Sequence, residues 1–599
     1  MTPALKNQSR MDASNFTLGT ARTSPSRERL SLIVHVISWL CVSLSLGFSY
    51  KVGNQHSYLI SGLRRLDPGF LPRDWILQET TVYHPTFDWI VVMLGTLFGG
   101  GAGVGWGLIV LNVLVVSAAM GAFSYLFRQV CQRSWFWSLG PVLVVALWMV
   151  LGLHKSPAVS YAFASTLQPS SLASMALCWA VVFYGLGRRS LAGLALAVSG
   201  FFHANFLVLG LLVFGLSQLV QMAHKRGLLI KENAMVMGPA LLVFLTKLPV
   251  LLSVSGQSSQ GIELFHRVRS PWHYDPSTYG HGVWLYLGWT ILGAAAYVLG
   301  RRQSGPTGAL MRRLGVLWVM CQVCIFGYFA VAAAGLSAKV TQLFMWRLAP
   351  FASLMGVLAM VLVAGPALSE LRRRVTQKHS ASAMALAAAG GAVVFLMIVD
   401  TLFRGGMGPV MKLSIWVALF CGWVWVSSQR KAKWWVVFCL GAFVVLSGLS
   451  VRYATTLSNA PDFEHTDEAT ADVYQWINTQ TPKDALFVIP PLAKEFRLHA
   501  GRSVIADWKT TPVISSELMQ WYERMQDISG VESPKDKDAI SEGYTRIDED
   551  RVRMLVEKYG ADHALVPASA LPALKAYEPL YQSDEWAVIS LKDTKAQLR

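Results

Sequence analysis

The stretch VGWGLIVLNVLVVSAAMGAFSYLF, residues 104–127, is apolar along its whole length and contains no Asp, Glu, Lys or Arg. About 20 such residues are enough for a helix to cross the hydrocarbon layer of a bilayer. Comparable runs recur through the first three quarters of the chain, at residues 30–50, 136–153, 170–187, 190–204, 205–221, 234–253, 283–300, 314–335, 342–365, 382–403, 411–427 and 434–451. The sequence therefore predicts a polytopic α-helical membrane protein with about thirteen spans.

The composition excludes a soluble protein of this length. Of the 599 residues, 53% are hydrophobic and 15% are charged, and the mean hydropathy is +0.41. A typical soluble chain has about 25% charged residues. The 22 Trp and 49 Gly suit helices that pack closely and anchor at a membrane interface.

The charge is divided unevenly between two parts of the chain. Residues 1–451 carry 35 Lys and Arg against 11 Asp and Glu, a net charge of +24, and residues 452–599 carry 17 against 24, a net charge of −7. With thirteen spans, every basic cluster between spans falls on one side, which the positive-inside rule makes the cytoplasm. These residues serve topology, so nucleic-acid binding is not expected. We predict a bacterial inner-membrane protein with a cytoplasmic tail at 1–29, a membrane domain at 30–451 and an extracytoplasmic domain at 452–599.

Two stretches leave the count of spans open. Residues 190–221 could form one long tilted helix or two short ones, and only two keep the later basic clusters on the cytoplasmic side. Residues 87–103 could form a further span or a re-entrant segment that leads into the run at 104–127.

The C-terminal part has the pattern of a small α/β domain. Thr466 can cap a helix that runs to about Asn478, and further helical patterns cover about 491–499, 513–527 and 548–559. Short β-type runs alternate with them, at Leu486–Ile489, Val504–Ala506, Ala564–Val566 and Ala587–Leu591. We see no nucleotide-binding, metal-ligand or catalytic-triad motif. Sites in α/β domains form near strand ends, and the charged residues there are Glu495, Arg497, Arg502, Asp507 and Lys509.

The few acids of the membrane part are concentrated in one long loop, residues 51–87. It contains Asp67, Asp74 and Glu79, and Asp88 follows it directly. Loops of more than about 15 residues are often functional. A carboxylate here could act as a general base, and oxygen ligands from Asp67, Glu79 or Asp88 could bind a divalent metal. Each acid could equally be a solvated loop residue.

Cationic and aromatic residues elsewhere could complete a site. Loop 254–282 contains Arg267, Arg269, Trp272 and His273, which suit a phosphate held by arginine and a sugar stacked on an aromatic ring. Arg347 lies within a span, where a charge is costly and is usually kept for a pathway or a bound anion. Lys247 and His203 also interrupt apolar runs, although His203 is more often the type of histidine that packs in a core.

The order of these parts resembles the C-type glycosyltransferase superfamily, polytopic enzymes that take a sugar from a polyprenyl-phosphate carrier on the outer face of the membrane. The segments that carry the resemblance are Gln168-Pro169-Ser-Ser-Leu-Ala, Arg188-Arg189 and Gly200-Phe-Phe-His203 in the membrane part, and Tyr474-Gln-Trp476, Thr481-Pro482-Lys-Asp484-Ala and Gly501-Arg502-Ser-Val in the tail. The tail segments are also similar to those of an uncharacterised bacterial group of multi-span proteins with an exported domain.

The resemblance implies an inverting transfer from a lipid-linked sugar to a glycan, lipid or protein acceptor. Arg347, Arg269 and Lys247 would then hold the phosphate, and a divalent metal is the one cofactor to consider. The superfamily usually places a catalytic acid shortly after the first span, where this chain has Gly53-Asn54-Gln55-His56. The base would therefore be His56, Asp74 or Asp67.

A second hypothesis does not involve catalysis. The chain could instead be a transporter or flippase for a lipid-linked glycan, or an assembly factor for envelope polysaccharide. The missing acid after the first span and the charges within spans favour it.

Overall fold

The computed structural model describes residues 24–131, 134–225, 230–255, 258–280, 282–303, 305–375, 409–429, 432–454, 467–534 and 536–591. Up to residue 454 the described chain is built almost wholly of helices, and from residue 467 it forms a small mixed sheet flanked by helices. The predicted architecture, a helical membrane protein with a C-terminal α/β domain, is confirmed. We call residues 467–591 the tail domain.

The helices of the first part follow the apolar runs closely. They are α1 Pro25–Ser45, α2 Gln55–Tyr58, α3 Ile60–Leu66, α4 Trp75–Glu79, α5 Pro85–Phe98, α6 Val104–Val130, α7 Trp135–Val150, α8 Pro169–Gly185, α9 Arg189–Phe202, α10 Ala204–Lys225, α11 Ile230–Ser255, α12 Ser259–Glu263, α13 Pro271–Tyr274, α14 Gly282–Gly300, α15 Gly305–Ala333, α16 Ala338–Thr341, α17 Ala349–Val375, α18 Pro409–Gln429 and α19 Ala432–Ala454. A π-helical turn covers Leu264–Arg269, and short 3₁₀ turns cover Gly101–Gly103, Pro276–Thr278 and Met345–Leu348.

Six helical segments in the described part of the chain are long and apolar enough to cross a membrane. They are Pro25–Ser45, Gly101–Val130, Ala204–His224, Gly282–Gly300, Gly305–Ala333 and Lys339–Ala364. Shorter apolar helices, α5, α7, α8 and α9 among them, accompany these segments. The chain is thus an integral membrane protein. The predicted span at 382–403 lies outside the described residues.

The two ambiguous stretches now have definite structures. Residues 190–221 form two helices, because His203 adopts an extended conformation (φ −148°, ψ 110°) between α9 and α10. Residues 87–103 belong mainly to the separate helix α5, which ends at Phe98 and is followed by Gly99 and Gly100. Both glycines have positive φ values, 90° and 86°, which glycine adopts without a steric penalty. This turn directs the chain into α6.

Close packing of α9 on α11 depends on Gly193. A Cβ atom at this position would lie 2.2 Å from the carbonyl oxygen of Met235, which is a rigid backbone atom. We therefore expect Gly193→Ala to force the helices apart and to cost about 1–3 kcal/mol of stability. Thermal unfolding of the purified protein in detergent measures the effect. Gly288→Ala in α14 is the matched control, because no heavy atom lies within 4 Å of its added Cβ. Equal melting temperatures for the two variants would contradict the prediction.

The tail domain contains a five-stranded sheet in the order β2-β1-β3-β5-β4. The strands are β1 Leu486–Val488, β2 Ser503–Val504, β3 His563–Pro567, β4 Pro579–Gln582 and β5 Trp586–Ser590. β1 pairs in parallel with β2 and β3, whereas β5 is antiparallel to β3 and β4. The helices are α20 Glu468–Gln480, α21 Phe496–His499, α22 Ser515–Ser529, α23 Lys537–Thr545 and α24 Glu549–Tyr559, with a 3₁₀ turn at Ala568–Ala573.

The sequence predicted most of the tail domain, with three differences. The cap of α20 is Asp467, whose side chain accepts a hydrogen bond from the Thr470 amide at 2.8 Å, and not Thr466. Strand β4 and helix α23 were missed. Strand β4 is mostly exposed and starts with a proline, so its sequence lacks the alternating apolar pattern of a half-buried strand.

The tail domain shares its core with loops of the membrane part. Trp75 of α4 and Leu264 of the π-helical turn lie in the same buried cluster as Trp521 of α22. The first loop, residues 46–84, and the segment 258–278 therefore lie at the end of the helical bundle on which the tail domain sits. We call this region of contact the joint.

Candidate functional site

Two histidines and an arginine meet where three helical elements begin or end. Nη1 of Arg347 donates a hydrogen bond to Nε2 of His203 over 2.5 Å. The rings of His203 and His84 lie 5.1 Å apart, centroid to centroid. Because arginine only donates, Nε2 of His203 is unprotonated in this contact. We call His84, His203 and Arg347 the His–Arg cluster.

Local backbone structure explains why these side chains converge. His203 interrupts two helices, and His84 precedes Pro85, which starts α5. Arg347 lies in the 3₁₀ turn Met345–Leu348, which follows Phe344 in a left-handed conformation (φ 45°). All three therefore project from breaks between helices, where the backbone can turn a side chain toward a shared space.

Aromatic rings surround the His–Arg cluster. The Arg347 guanidinium lies over Phe344 and Phe206, at 5.3 and 5.8 Å from the ring centroids. Tyr58 of α2 contacts His84 edge-on at 5.1 Å. Among the described residues, Arg347 forms no ion pair with a carboxylate. A cation held by rings and a neutral imidazole lacks a counter-ion, and such an arrangement favours a bound anion.

An apolar groove adjoins the cluster. It has a volume of ≈ 460 Å³ and is lined by Pro85, Thr86, Trp89, Ile90, Met93, Phe201 and Phe202. His84 and His203 are the sequence neighbours of its first and last lining residues, so the groove lies beside the cluster. Trp89 and Phe201 are 60% and 50% exposed on helices of the membrane part. The groove is thus open along the side that such helices present to lipid.

Lys247 and His273 border the same region. The Lys247 ammonium lies 5.8 Å from the centroid of Phe201, a residue of the groove. Nδ1 of His273 lies 2.7 Å from the carbonyl oxygen of Ala158, and its ring lies 4.9 Å from Phe344, which also contacts Arg347. The structure therefore brings together three of the predicted binding residues, Arg347, His273 and Lys247.

Asp74 lies in the joint instead of an open cavity. Its side chain is fully buried, and Oδ2 accepts hydrogen bonds from Nε of Arg497 at 2.7 Å and from the amide of Val504 at 3.1 Å. Arg497 also pairs with Asp507. The prediction of a base at Asp74 is corrected by this geometry, because the carboxylate already binds a buried guanidinium and cannot reach an acceptor. Its role is to attach the first loop to the tail domain.

A second set of contacts attaches the tail domain next to His84. Glu517 accepts hydrogen bonds from the amide and hydroxyl of Thr81 at 2.9 and 2.7 Å and from the Tyr83 hydroxyl at 3.2 Å. The Tyr83 hydroxyl in turn accepts bonds from the amides of Val513 and Ile514, each at 3.0 Å. The tail domain thereby fixes the residue immediately before His84.

A chain of polar contacts runs from the tail domain into the membrane part through Asn54. Nζ of Lys509 donates to Oδ1 of Asn54 at 2.8 Å, and Nδ2 of Asn54 donates to Oε1 of Gln168 at 3.0 Å. Nε2 of Gln168 then donates to the hydroxyl of Tyr161 at 3.2 Å. After the first helix, the Asn54 amide therefore bridges Lys509 of the tail domain and Gln168 of the membrane part.

Arg269 belongs to the joint as well. Its Nε donates to the Thr511 hydroxyl at 2.6 Å and its Nη2 to the carbonyl of Lys509 at 2.9 Å. Its guanidinium also lies 5.5 Å from the centroid of Trp508. Burial lowers the pKa of Arg269 to about 10, and Asp507 opposes that shift.

The other predicted residues lie apart from the cluster. Arg267 is mostly exposed and pairs with Glu263 at 3.3 Å, and Trp272 is an exposed neighbour of His273. His56 is buried in α2, two residues after Asn54.

The acids considered as metal ligands do not gather. Asp67 is exposed and accepts a bond from the amide of Gly69 at 2.8 Å, and Glu79 is exposed at the end of α4. Asp88 is buried and accepts a bond from Ser61 at 2.7 Å, with Arg65 at 3.5 Å. In the described ranges, no three His, Cys, Asp or Glu side chains form a group that could hold a metal ion. Asp67, Glu79 and Asp88 therefore do not make the predicted metal site.

Sequence reasoning missed His84 and undervalued His203 and Lys509. The available signal was position, since His84 stands before a proline that opens an apolar run and His203 stands between two apolar runs. A histidine at a helix break can turn into a cavity, whereas one within a helix usually packs against neighbours. At Asn54, the sequence indicated only that the acid usual after the first span is absent.

Comparisons with known proteins concern the tail domain and the overall fold. A family model described as a domain of unknown function, DUF6798, matches residues 468–528, which include Arg497 and Lys509. No curated protein matches the chain.

Among solved structures, the chain is similar to ArnT from Cupriavidus metallidurans bound to undecaprenyl phosphate, with a TM-score of 0.49 and 15% identity over 95% of this chain and 98% of that one. The apo state of the same ArnT has a TM-score of 0.46 and 14% identity, over 94% of this chain and 97% of that one. The arabinosyltransferase EmbB from Mycobacterium smegmatis has a TM-score of 0.37 and 14% identity, over 77% of this chain and 44% of that one.

Proposed function

We propose that this protein is a membrane glycosyltransferase that takes a sugar from a polyprenyl-phosphate carrier. The observation that carries the proposal is the apolar groove that opens toward lipid beside the His–Arg cluster. A long isoprenoid chain suits the exposed apolar walls, and the uncompensated Arg347 suits the phosphate at its end. A groove of ≈ 460 Å³ lies within the range of about 300–1,000 Å³ typical of ligand sites.

The proposed chemistry is an inverting displacement at the anomeric carbon. The hydroxyl of a glycan, lipid or protein acceptor attacks this carbon, the bond to the phosphate oxygen breaks, and polyprenyl phosphate leaves. Arg347, with Lys247 nearby, stabilises the charge on the leaving phosphate. Asp74 and Asp88 are occupied by Arg497 and Arg65, and Nε2 of His203 accepts the hydrogen bond from Arg347, so the proton of the acceptor passes to the imidazole of His84.

The joint supports a location for the reaction. The tail domain, the first loop and the segment 258–278 lie at one end of the bundle, whereas the basic residues Arg189 and Arg313 contact Glu232 and the carbonyl of Gly185 elsewhere. By the positive-inside rule, the basic turns face the cytoplasm. We place the tail domain and the site on the outer face of a bacterial inner membrane.

Purified protein in lipid nanodiscs tests the proposal. Supplied with polyprenyl-phosphoryl sugars and a panel of acceptors, wild type is expected to release polyprenyl phosphate. His84→Gln should still bind the lipid through Arg347, which His203 continues to hold, but should release product at least about a hundredfold more slowly, because general-base catalysis contributes about 10²–10⁴-fold. Equal rates for the two proteins would exclude His84 as the base.

A second candidate function is favoured by Asn54. The superfamily resemblance implies an acid at this position, and here it is an amide bonded to Lys509 and Gln168. The groove and cluster could then bind a lipid-linked glycan without cleaving it, as a flippase or assembly factor would. In the same nanodiscs, binding of the lipid-linked sugar without release of polyprenyl phosphate would support this function. Movement of intact lipid between leaflets of proteoliposomes would identify transport.

A further inference from the structure

Lys509 brings a charged amine from the tail domain to the membrane part. It lies in the loop after β2, and its only hydrogen-bond acceptor among the described residues is Oδ1 of Asn54. Asn54 is neutral, so this contact does not balance the charge. A largely buried ammonium without a counter-ion is costly unless an anion joins it.

The surroundings of Lys509 add positive charge. The pKa of Lys509 is lowered to about 8, mainly by burial and also by the nearby Arg269 and Lys494, whereas Asp507 acts in the opposite direction. Asp507 is committed to Arg497 and to the amide of Thr510. Lys494 pairs with Glu495 at 2.9 Å. Because Asp74 and Asp507 share the one cation Arg497, their group keeps one negative charge, against the two positive charges of Lys509 and Arg269.

Arg269 holds the loop that carries Lys509. It bonds the Lys509 carbonyl and the Thr511 hydroxyl, and it lies over the ring of Trp508. Arg269 is itself buried and, like Lys509, makes no ion pair among the described residues. Two cations that form no ion pair among the described residues thus belong to one loop contact in the joint, and neutral partners fix their positions.

His273 connects this pair with the His–Arg cluster. The positive charges of Arg347, Arg269 and Lys509 all contribute to lowering the pKa of His273 to about 4, although burial is the main cause. His273 follows Arg269 by four residues, and its ring contacts Phe344, over which Arg347 lies, so His273 links the two cationic groups.

We propose that Lys509 and Arg269 form a second anion subsite, which the tail domain adds to the site in the membrane part. Its ligand is a carboxylate or phosphate group carried by the water-soluble part of the substrate, meaning an acidic sugar or an acidic acceptor. The identification of the ligand as a substrate rests on the proposed function. Lys509 binds this group as a cation, since an amine with a pKa of about 8 is about nine-tenths protonated at pH 7.

Competitive acetylation tests the subsite without an activity assay. The full-length protein in nanodiscs is pulsed with acetic anhydride at pH 7 and the modification of each lysine is measured by mass spectrometry. The probes are glucuronate, inorganic phosphate, glucose and polyprenyl phosphate. A bound anion should raise the pKa of Lys509, and a rise of about one unit slows its labelling about tenfold. The exposed Lys483 is the internal control.

The expected result is that glucuronate or inorganic phosphate protects Lys509, whereas glucose and polyprenyl phosphate do not, and that Lys483 is unaffected. Asn54→Asp supplies the missing carboxylate, so this variant should show slow labelling of Lys509 already without a probe. Protection by polyprenyl phosphate alone would overturn the proposal by assigning Lys509 to the carrier phosphate. Labelling that no anion changes would also overturn it.

These outcomes are separate from those of the proposed function. Absence of polyprenyl phosphate release from any donor, together with protection of Lys509 by glucuronate, would leave the subsite standing and reject the transferase. Release of product without protection would reject the subsite alone.

Discussion

Arg347→Met is expected to weaken binding of polyprenyl phosphate by about 10- to 100-fold. Hydrogen bonds to charged groups contribute about 1.5–3 kcal/mol, and each 1.4 kcal/mol is a factor of ten in affinity. The guanidinium is held by His203 and by the rings of Phe344 and Phe206, so it is ordered before the lipid arrives. Methionine keeps much of the apolar contact and removes the charge. Titration of protein in nanodiscs with polyprenyl phosphate measures the change.

Arg267→Met is the matched control for this experiment. Arg267 is an exposed arginine of the same end of the bundle, and its pairing with Glu263 connects adjacent turns of one surface segment. Its removal should leave the affinity within about twofold, because exposed ion pairs contribute about 0–1 kcal/mol. Equal losses in both variants would indicate a general effect of surface charge and would contradict a phosphate site at Arg347.

Arg497→Met should destabilise the joint more than any other single substitution in the tail domain. It leaves the carboxylates of Asp74 and Asp507 buried next to each other without their shared cation. Breaking a buried pair by removal of one partner costs about 3–5 kcal/mol. Asp74→Asn should cost less, because Arg497 keeps Asp507 and an amide oxygen can still accept its hydrogen bond. The order of stability is therefore wild type, Asp74→Asn, Arg497→Met.

Urea titration followed by tryptophan fluorescence measures this order, since Trp75, Trp508 and Trp521 are buried near the joint. Arg546→Met provides the control, because Arg546, directly after α23, forms an exposed pair with Glu542 at 3.2 Å. It should change the free energy of unfolding by no more than about 1 kcal/mol. A variant Arg497→Met as stable as Arg546→Met would show that the buried network does not hold the tail domain.

The elements that sequence reasoning found are those with a local signal. Apolar runs marked the membrane helices, and the helical pattern at 548–559 marked α24, which Gly560 ends with a φ of 70°. Short β-type runs marked β1, β2, β3 and β5. Strand β4 has no such signal because it lies mostly exposed beside β5, and its pairing is a tertiary effect.

The site was only partly predictable for the same reason. Arg347 was found because a charge in an apolar run is unusual in any fold. Asp74 was interpreted from its neighbours in the loop, but its partner Arg497 is 423 positions away, and no local pattern indicates such a pair. Lys509 and Asn54 are separated by 455 positions. Which carboxylates remain available and which are consumed by ion pairs depends on this long-range pairing.

The pairing of Asp74 with Arg497 also determines when the joint can form during synthesis of the chain. Ribosomes add about 5–20 residues per second, so the 423 positions between the partners correspond to roughly 20–85 s of synthesis. During that interval the first loop has emerged and the tail domain does not exist. Nascent chains are therefore incomplete at the joint until the tail domain has been made, and Asp74 has no Arg497 to pair with in the meantime. A chain that stops before the tail domain would have the groove but neither Lys509 nor the contacts that fix the loop beside His84.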